Sequence, residues 1–176
     1  PAMQGVMDQI ARVSATDANV LLLGENGTGK YVLAEHIHEL SERKNQPFVH
    51  IDLGSLSENL FESELFGYKK GAFTDAHQDY AGKIENAQNG TVFLDEIGNL
   101  PLHLQTKLLS LIQNRKLSRI GESKERLLDV RFIFATNENY FSSLCYTLLQ
   151  RFQNETLLQC ITELFLITFP IFSLIL

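Results

Sequence analysis

The stretch Gly24-Glu25-Asn26-Gly27-Thr28-Gly29-Lys30 constrains this chain more than any other. It has the form G-x-x-x-x-G-K and follows a short apolar run, Asn19 to Leu23 (NVLLL). That run reads as a buried strand, and Lys30 to about Leu40 reads as a helix. Successive backbone N–H groups in such a loop converge on phosphate oxygens, and glycines permit the tight backbone this needs. The helix that follows adds the positive end of its dipole. Lys30 would place an ammonium against the outer phosphates. A Gly-rich turn with a solvated lysine is the blander alternative, which the flanking strand and helix disfavour. The motif's usual Ser or Thr after the lysine is Tyr31 here, so a Mg²⁺-binding hydroxyl is missing from that position. Gly24 to Tyr31 is thus the candidate nucleotide-binding segment.

The rest of the chain supplies more strands and helices in alternation. Residues 2 to 14 carry Met3, Val6, Met7, Ile10 and Ala11 at helical spacing. Pro47 to Asp52 (PFVHID), Thr91 to Leu94 (TVFL) and Val130 to Ala135 (VRFIFA) read as strands. Ser57 to Leu65 reads as a helix capped by Ser57. Leu104, Leu108, Leu111 and Ile112 mark another after Pro101. Gly67 to Gly82 has no sustained period and reads as a loop or hairpin insertion. Such alternation implies an α/β domain with a parallel sheet covered on both faces. The chain has 176 residues, 44% hydrophobic and 20% charged, which suits one globular domain. With 21 acidic against 15 basic residues the net charge is -6, and no basic stripe suited to duplex DNA is present. Cys145 and Cys160 lack metal-type spacing and read as free thiols of a reducing cytoplasm. No signal pattern opens the sequence.

The second chemical signal is Val92-Phe93-Leu94-Asp95-Glu96, an apolar strand ending in two carboxylates. The carboxyl ends of strands open onto the ligand crevice of α/β sheets. Asp95 there suits Mg²⁺, through water, and Glu96 is placed to orient and deprotonate an attacking water. An acidic doublet capping the next helix is the alternative, disfavoured by the Gly-rich loop. Asn137 follows the run VRFIFA, in reach of the same crevice and of the γ-phosphate or the water; alone, an Asn there is equally a turn residue. The five histidines are scattered, and no Ser or Cys sits in a nucleophile elbow. Asp79 and Glu85 read as solvated surface charges.

Between the two nucleotide motifs lies Glu62 to Ala76 (ESELFGYKKGAFTDA). It resembles the E-x-E-L-F-G-x-x-x-G-A-F-T-G-A signature of bacterial sigma-54-dependent transcription activators. GENGTGK, GTVFLDEIGNLP (Gly90 to Pro101), LQTKLL (Leu104 to Leu109) and FATN (Phe134 to Asn137) agree, so the match runs from Pro1 to about Glu138. The resemblance implies a P-loop NTPase of the AAA+ type, a parallel sheet flanked by helices, with a loop insertion at about 67–82 and the helical lid absent. It implies ATP and Mg²⁺ as cofactors, with hydrolysis driving a loop against sigma-54 bound to RNA polymerase. On this reading Gly71, Ala72, Phe73, Thr74, Asp75 and Ala76 form the partner contact loop, with Phe73 and Thr74 at its tip. Lys30 and the Gly-rich loop hold the phosphates, Asp95 the metal, Glu96 the water, and Asn137 senses the γ-phosphate. Relatives form hexameric rings, and many are two-component response regulators. Without the resemblance, a buried Phe73 is the alternative.

This sequence also departs from the family pattern. Asp75 replaces the second Gly of the loop signature. Asp52 stands where the family usually has Asn, a switch residue that restrains the catalytic Glu; a carboxylate donates no such bond unless protonated. Tyr31 replaces the family's usual Glu. After Glu138 the pattern stops, and Arg151 does not match the family's trans arginines. Residues 1–138 are therefore expected to form the AAA+ core. Residues 139–176 read as a divergent or out-of-frame tail, explained by a reading-frame shift near Tyr140 or a truncated gene. The uncharged end, Leu164 to Leu176, is too short for a membrane span. DNA binding would need a domain absent from this chain. The expected function is the ATP-binding core of an activator that remodels the sigma-54 polymerase complex. The alternative is a catalytically weak or inactive, nucleotide-dependent interaction fragment.

Overall fold

The computed structural model describes residues 2–57, 60–136 and 164–168. In chain order these form α1 (Ala2–Ser14), β1 (Asn19–Leu23), α2 (Lys30–Glu39), β2 (Phe48–Asp52), α3 (Phe61–Phe66), β3 (Gly67–Tyr68) and β4 (Tyr80–Ala81). There follow α4 (Lys83–Asn86), β5 (Thr91–Asp95), α5 (Leu102–Asn114), β6 (Lys116–Leu117), β7 (Arg126–Leu127), β8 (Arg131–Thr136) and β9 (Leu164–Thr168). Single 3-10 turns, Leu53–Ser55 and Ile97–Asn99, follow β2 and β5.

The longer strands build a five-stranded sheet in the order β2-β5-β8-β1-β9, every pair parallel. Side chains alternate across it, so β1, β2, β5 and β8 each feed two cores. Val20, Leu22, Phe93, Ile133 and Ala135 pack with Val6, Ile10 and Val13 of α1 and Ala34 and Ile37 of α2. Leu21, Leu23, Val92, Leu94, Phe132 and Phe134 meet Phe61 and Leu65 of α3 and Leu104, Leu108 and Leu111 of α5. Each of the Val, Leu, Ile and Phe side chains, fully buried, contributes about 1.5–3 kcal/mol.

Buried guanidinium chemistry ties the amino ends of the strands. Arg131, at 0% exposure, donates to Ala18 O (3.0 Å) and Val13 O (2.8 Å), fastening β8 to the α1–β1 turn. Arg43 bridges Asp17 (2.7 Å) and Asp129 (2.6 Å) across three loops. These contacts leave the opposite, carboxyl ends of the strands free for chemistry.

Most expected elements are present, with two differences. The third helix starts at Phe61, and Ser57 gives it no side-chain cap; instead the Ser57 carbonyl accepts the Leu60 N–H at 2.9 Å. Burial of Phe61, Leu65 and Phe66 sets that helix, while Leu60 stays exposed. Of the tail, the described residues 164–168 run parallel to β1 as β9.

Gly90, just before β5, lies against the lead-in of the neighbouring strand β2: a Cβ there would sit 2.1 Å from Pro47 O. The Thr91 N–H bonds that same carbonyl at 2.9 Å, so neither backbone can withdraw without losing a hydrogen bond. Gly90→Ala is expected to destabilise the domain by about 2–3 kcal/mol, the upper range for overpacking. Denaturant unfolding checks this, and an unchanged midpoint would refute it.

Candidate functional site

The Gly-rich loop leaves the carboxyl end of β1 beside that of β8, where the Gly24 N–H donates to Thr136 O (3.3 Å). Thr28 closes the turn on Glu25 O through its hydroxyl (2.8 Å). Gly27 and Gly29 take φ of +82° and +84°, a region that favours glycine, and the space beside both is open. Gly29 then delivers the chain into α2. Lys30 is only 6% exposed, and its Nζ donates to Gly24 O (2.8 Å) and Glu25 O (3.0 Å). The ammonium is thus held inside the curve of its own loop.

The carboxylates end the neighbouring strands. Asp52 and Asp95 are register partners on β2 and β5. Glu96 leaves β5 in the left-handed region (φ 56°, ψ 49°), a conformation that costs a non-glycine residue about 1–3 kcal/mol. Its N–H donates to Asp95 Oδ1 (3.0 Å), and its carbonyl accepts the Asn99 N–H (2.9 Å), which together fix the turn. Burial pushes the Glu96 carboxyl above its ordinary pKa; nearby Lys30 opposes this, and Asp95 and Asp52 add to it. Lys30, Asp95, Asp52 and Glu96 therefore share one electrostatic neighbourhood.

The remaining expected site residues fall as follows. Asp52 is exposed and its Oδ1 accepts the Gly54 N–H (2.9 Å), capping the 3-10 turn after β2. The Tyr31 ring packs on His50 (4.9 Å between centroids), Phe48 and Phe93. Asn137 lies outside the described residues, as does Arg151. Thr136, just before Asn137, is buried, and its hydroxyl has no partner among the described residues.

The insertion is a hairpin whose legs, β3 and β4, pair antiparallel. Its tip turns on Gly71 (φ +83°), with Gly71 N to Ala76 O at 2.8 Å and Ala76 N to Phe73 O at 3.0 Å. Ala76 is buried while Phe73, Thr74 and Asp75 face outward. Phe73 is 43% exposed, its ring edge-on to Tyr68 (4.9 Å), which in turn stacks on Tyr80 (5.3 Å).

A second hairpin, β6–β7, lies alongside. Lys69 N donates to Ile120 O (3.0 Å), and Ile120 N to Gly67 O (2.9 Å). Here Glu85 corrects the sequence reading: it is no solvated charge but takes a bidentate bond from Arg119 (2.7 Å for each oxygen). The pair is half-buried, at 24% and 13% side-chain exposure. Asp79, by contrast, is an exposed surface charge as expected, paired with Lys69 (2.5 Å) and accepting the Lys70 N–H (2.9 Å).

A family model described as the Sigma-54 interaction domain matches residues 1–157. The chain belongs to that family. It is 51% identical over 138 residues to the transcriptional regulatory protein FlgR of Helicobacter pylori, covering 78% of this chain and 36% of that protein. This sigma-54 interaction domain thus spans about a third of such relatives. Its structure is similar to NtrX from Brucella abortus in complex with ATP (TM-score 0.79, 28% identity, 96% of this chain and 35% of that one). It also shares the fold of the P-loop NTPase domain of an Escherichia coli sigma-54 activator (TM-score 0.57, 18% identity, 97% and 96% covered). The fold is that of a P-loop NTPase.

The groups present fit a magnesium triphosphate: amide donors on open, left-handed glycines, one ammonium, and carboxylates at adjacent strand ends. Among the described residues no group of three or more His, Cys, Asp or Glu could hold a metal alone. Among the described residues no helix is long and apolar enough to cross a membrane.

The Arg119 bond holds the Glu85 carboxyl below its ordinary pKa. A lowered carboxylate stabilises the fold above its ordinary range, and that contribution is lost as pH falls through the lowered value. Protection of the β6–β7 amides from hydrogen exchange is therefore expected at neutral pH and lost in acid. Arg119→Ala should speed their exchange at neutral pH at least about tenfold while leaving β1, β5 and β8 unchanged, as local opening would. Equal exchange in both proteins would refute this.

Proposed function

We propose that this domain binds ATP with Mg²⁺ in a reducing cytoplasm and hydrolyses it to drive the 71–76 loop against sigma-54 in the RNA polymerase complex. The observation that carries this reading is the shared field of Lys30, Asp95, Asp52 and Glu96 at the strand ends that also launch the Gly-rich loop.

The amides of residues 24–30 and the amino end of α2 bind the phosphates, with the Lys30 ammonium leaving its two carbonyls to meet them. Asp95 would hold Mg²⁺ through water, and the metal would supply charge neutralisation of the phosphates. Glu96, fixed by its strained turn, orients the attacking water and takes its proton at the carboxylate. Its raised pKa makes it a stronger base, and positioned base help is worth about 10²–10⁴ in rate. Asn137 registers the γ-phosphate. The exposed Phe73 and Thr74 meet the partner, and Asp75 adds a charge beside them. A hexameric ring would bring a trans arginine, worth about 10³–10⁵ in related phosphoryl transfers. DNA is reached through another domain.

Two observations favour a second reading, a nucleotide-dependent interaction module with little or no turnover. The Tyr31 ring is committed to His50, Phe48 and Phe93, and the Asp52 carboxylate is committed to Gly54 N–H.

Glu96→Gln separates the readings. On the first, it abolishes turnover, spares ATP binding by calorimetry and raises the melting temperature at neutral pH, because an uncharged amide replaces a carboxylate that burial disfavours. A parent as inert as the variant would establish the second reading instead. The isolated chain should also hydrolyse ATP slowly, with specific activity rising as protein concentration rises; brisk turnover by a strictly monomeric sample would contradict the ring. Phe73→Ala should keep ATP binding and lose sigma-54 binding, and retained binding would remove the loop from the contact.

A further inference from the structure

Gly67 and Gly82 meet at the root of the insertion, where α3 ends and α4 begins. A Cβ on Gly67 would lie 2.4 Å from Gly82 N and 2.4 Å from Tyr80 O. A Cβ on Gly82 would lie 2.4 Å from Gly67 N, 2.4 Å from Leu65 O and 2.5 Å from Phe66 C. The obstruction is reciprocal and consists of backbone on both sides, so no flexible side chain can yield. Side-chain bonds span the same root: Lys83 Nζ lies 3.3 Å from Glu64 Oε2, and the Tyr80 hydroxyl donates to that oxygen at 3.4 Å. Gly67 is also held from its other side, through its carbonyl, by Ile120 N–H. From this root the Tyr80, Tyr68 and Phe73 rings run in contact out to the tip.

We propose that Gly67 and Gly82 form a backbone clasp that makes the insertion one stiff arm of α3 and α4, so that the Phe73 tip moves only when those helices move. The two glycines are positioning residues for the partner contact. This rests on the reading of residues 71–76 as the contact loop. An ordinary contact needs about 3.4 Å, so a methyl on Gly82 must part the legs by about 1 Å, and a close-packed root transmits that strain along the arm. Gly82 itself has φ -66° and ψ 161°, which alanine adopts freely, so Gly82→Ala tests the clasp without backbone strain.

The experiment measures the distance between spin labels at Thr74→Cys on the tip and His103→Cys on α5, with Cys145 and Cys160 replaced by serine. It needs no partner, so its outcome is separate from that of Phe73→Ala. The parent is expected to give one narrow distance distribution. Gly82→Ala should shift it or broaden it about twofold, with ATP binding retained, whereas Lys83→Ala, which removes the ion pair alone, should leave it unchanged. A broad distribution in the parent would overturn the clasp. So would an unchanged Gly82→Ala, or a Lys83→Ala equal to it. If Gly82→Ala gives no cooperative melt, the parent's distribution decides.

Discussion

Parallel pairing of β2, β5, β8 and β1 is the constraint on which the site depends. Parallel strands all finish at one edge of a sheet, so whatever follows each strand is delivered to the same crevice. Here that delivers the Gly-rich loop from β1, Asp52 from β2 and the acidic pair from β5. Backbone bonds in a doubly covered sheet leave no freedom of register, because a one-residue slip turns every side chain to the wrong core. The ends are thereby fixed to within a hydrogen bond, as the contact between Gly24 and Thr136 illustrates. Arg131 and Arg43 perform the matching task at the other edge, where they join loops that carry no chemistry.

Strands β1, β2, β5 and β8 and helices α1, α2 and α5 were legible to within a residue or so, because each announces itself by a local period or an unbroken apolar run. Strands of two residues have no period, so the β6–β7 hairpin gave no signal, and neither did the four-residue α4. The expected start of the third helix at Ser57 runs through residues 58–59, outside the described residues, while its regular α-helical part begins at Phe61. Glu85 was misread because its partner, Arg119, is 34 residues away and only folding brings them together. A Glu and an Arg at that separation look like two solvated charges. The strand-end positions of the Gly-rich loop and the acidic pair and the exposure of Phe73 could be read from the sequence because contiguous residues set them.

Asp52 and Tyr31 show how a site absorbs substitutions. Tyr31 finds an aromatic wall of His50, Phe48 and Phe93, so a bulky ring beside the phosphate loop is accommodated on the sheet and not in the crevice. Asp52 becomes a turn cap and adds negative charge near Glu96. Neither residue interrupts the pairing of β2 with β5.

The enclosure of Lys30 has a kinetic consequence. Its charge is already satisfied by two carbonyl dipoles and shut away from water, so it casts little field into solution. The chain around it carries a net charge of -6. On the proposed reading the net charge of the chain opposes long-range steering of a nucleotide toward the loop, and added salt would screen that opposition.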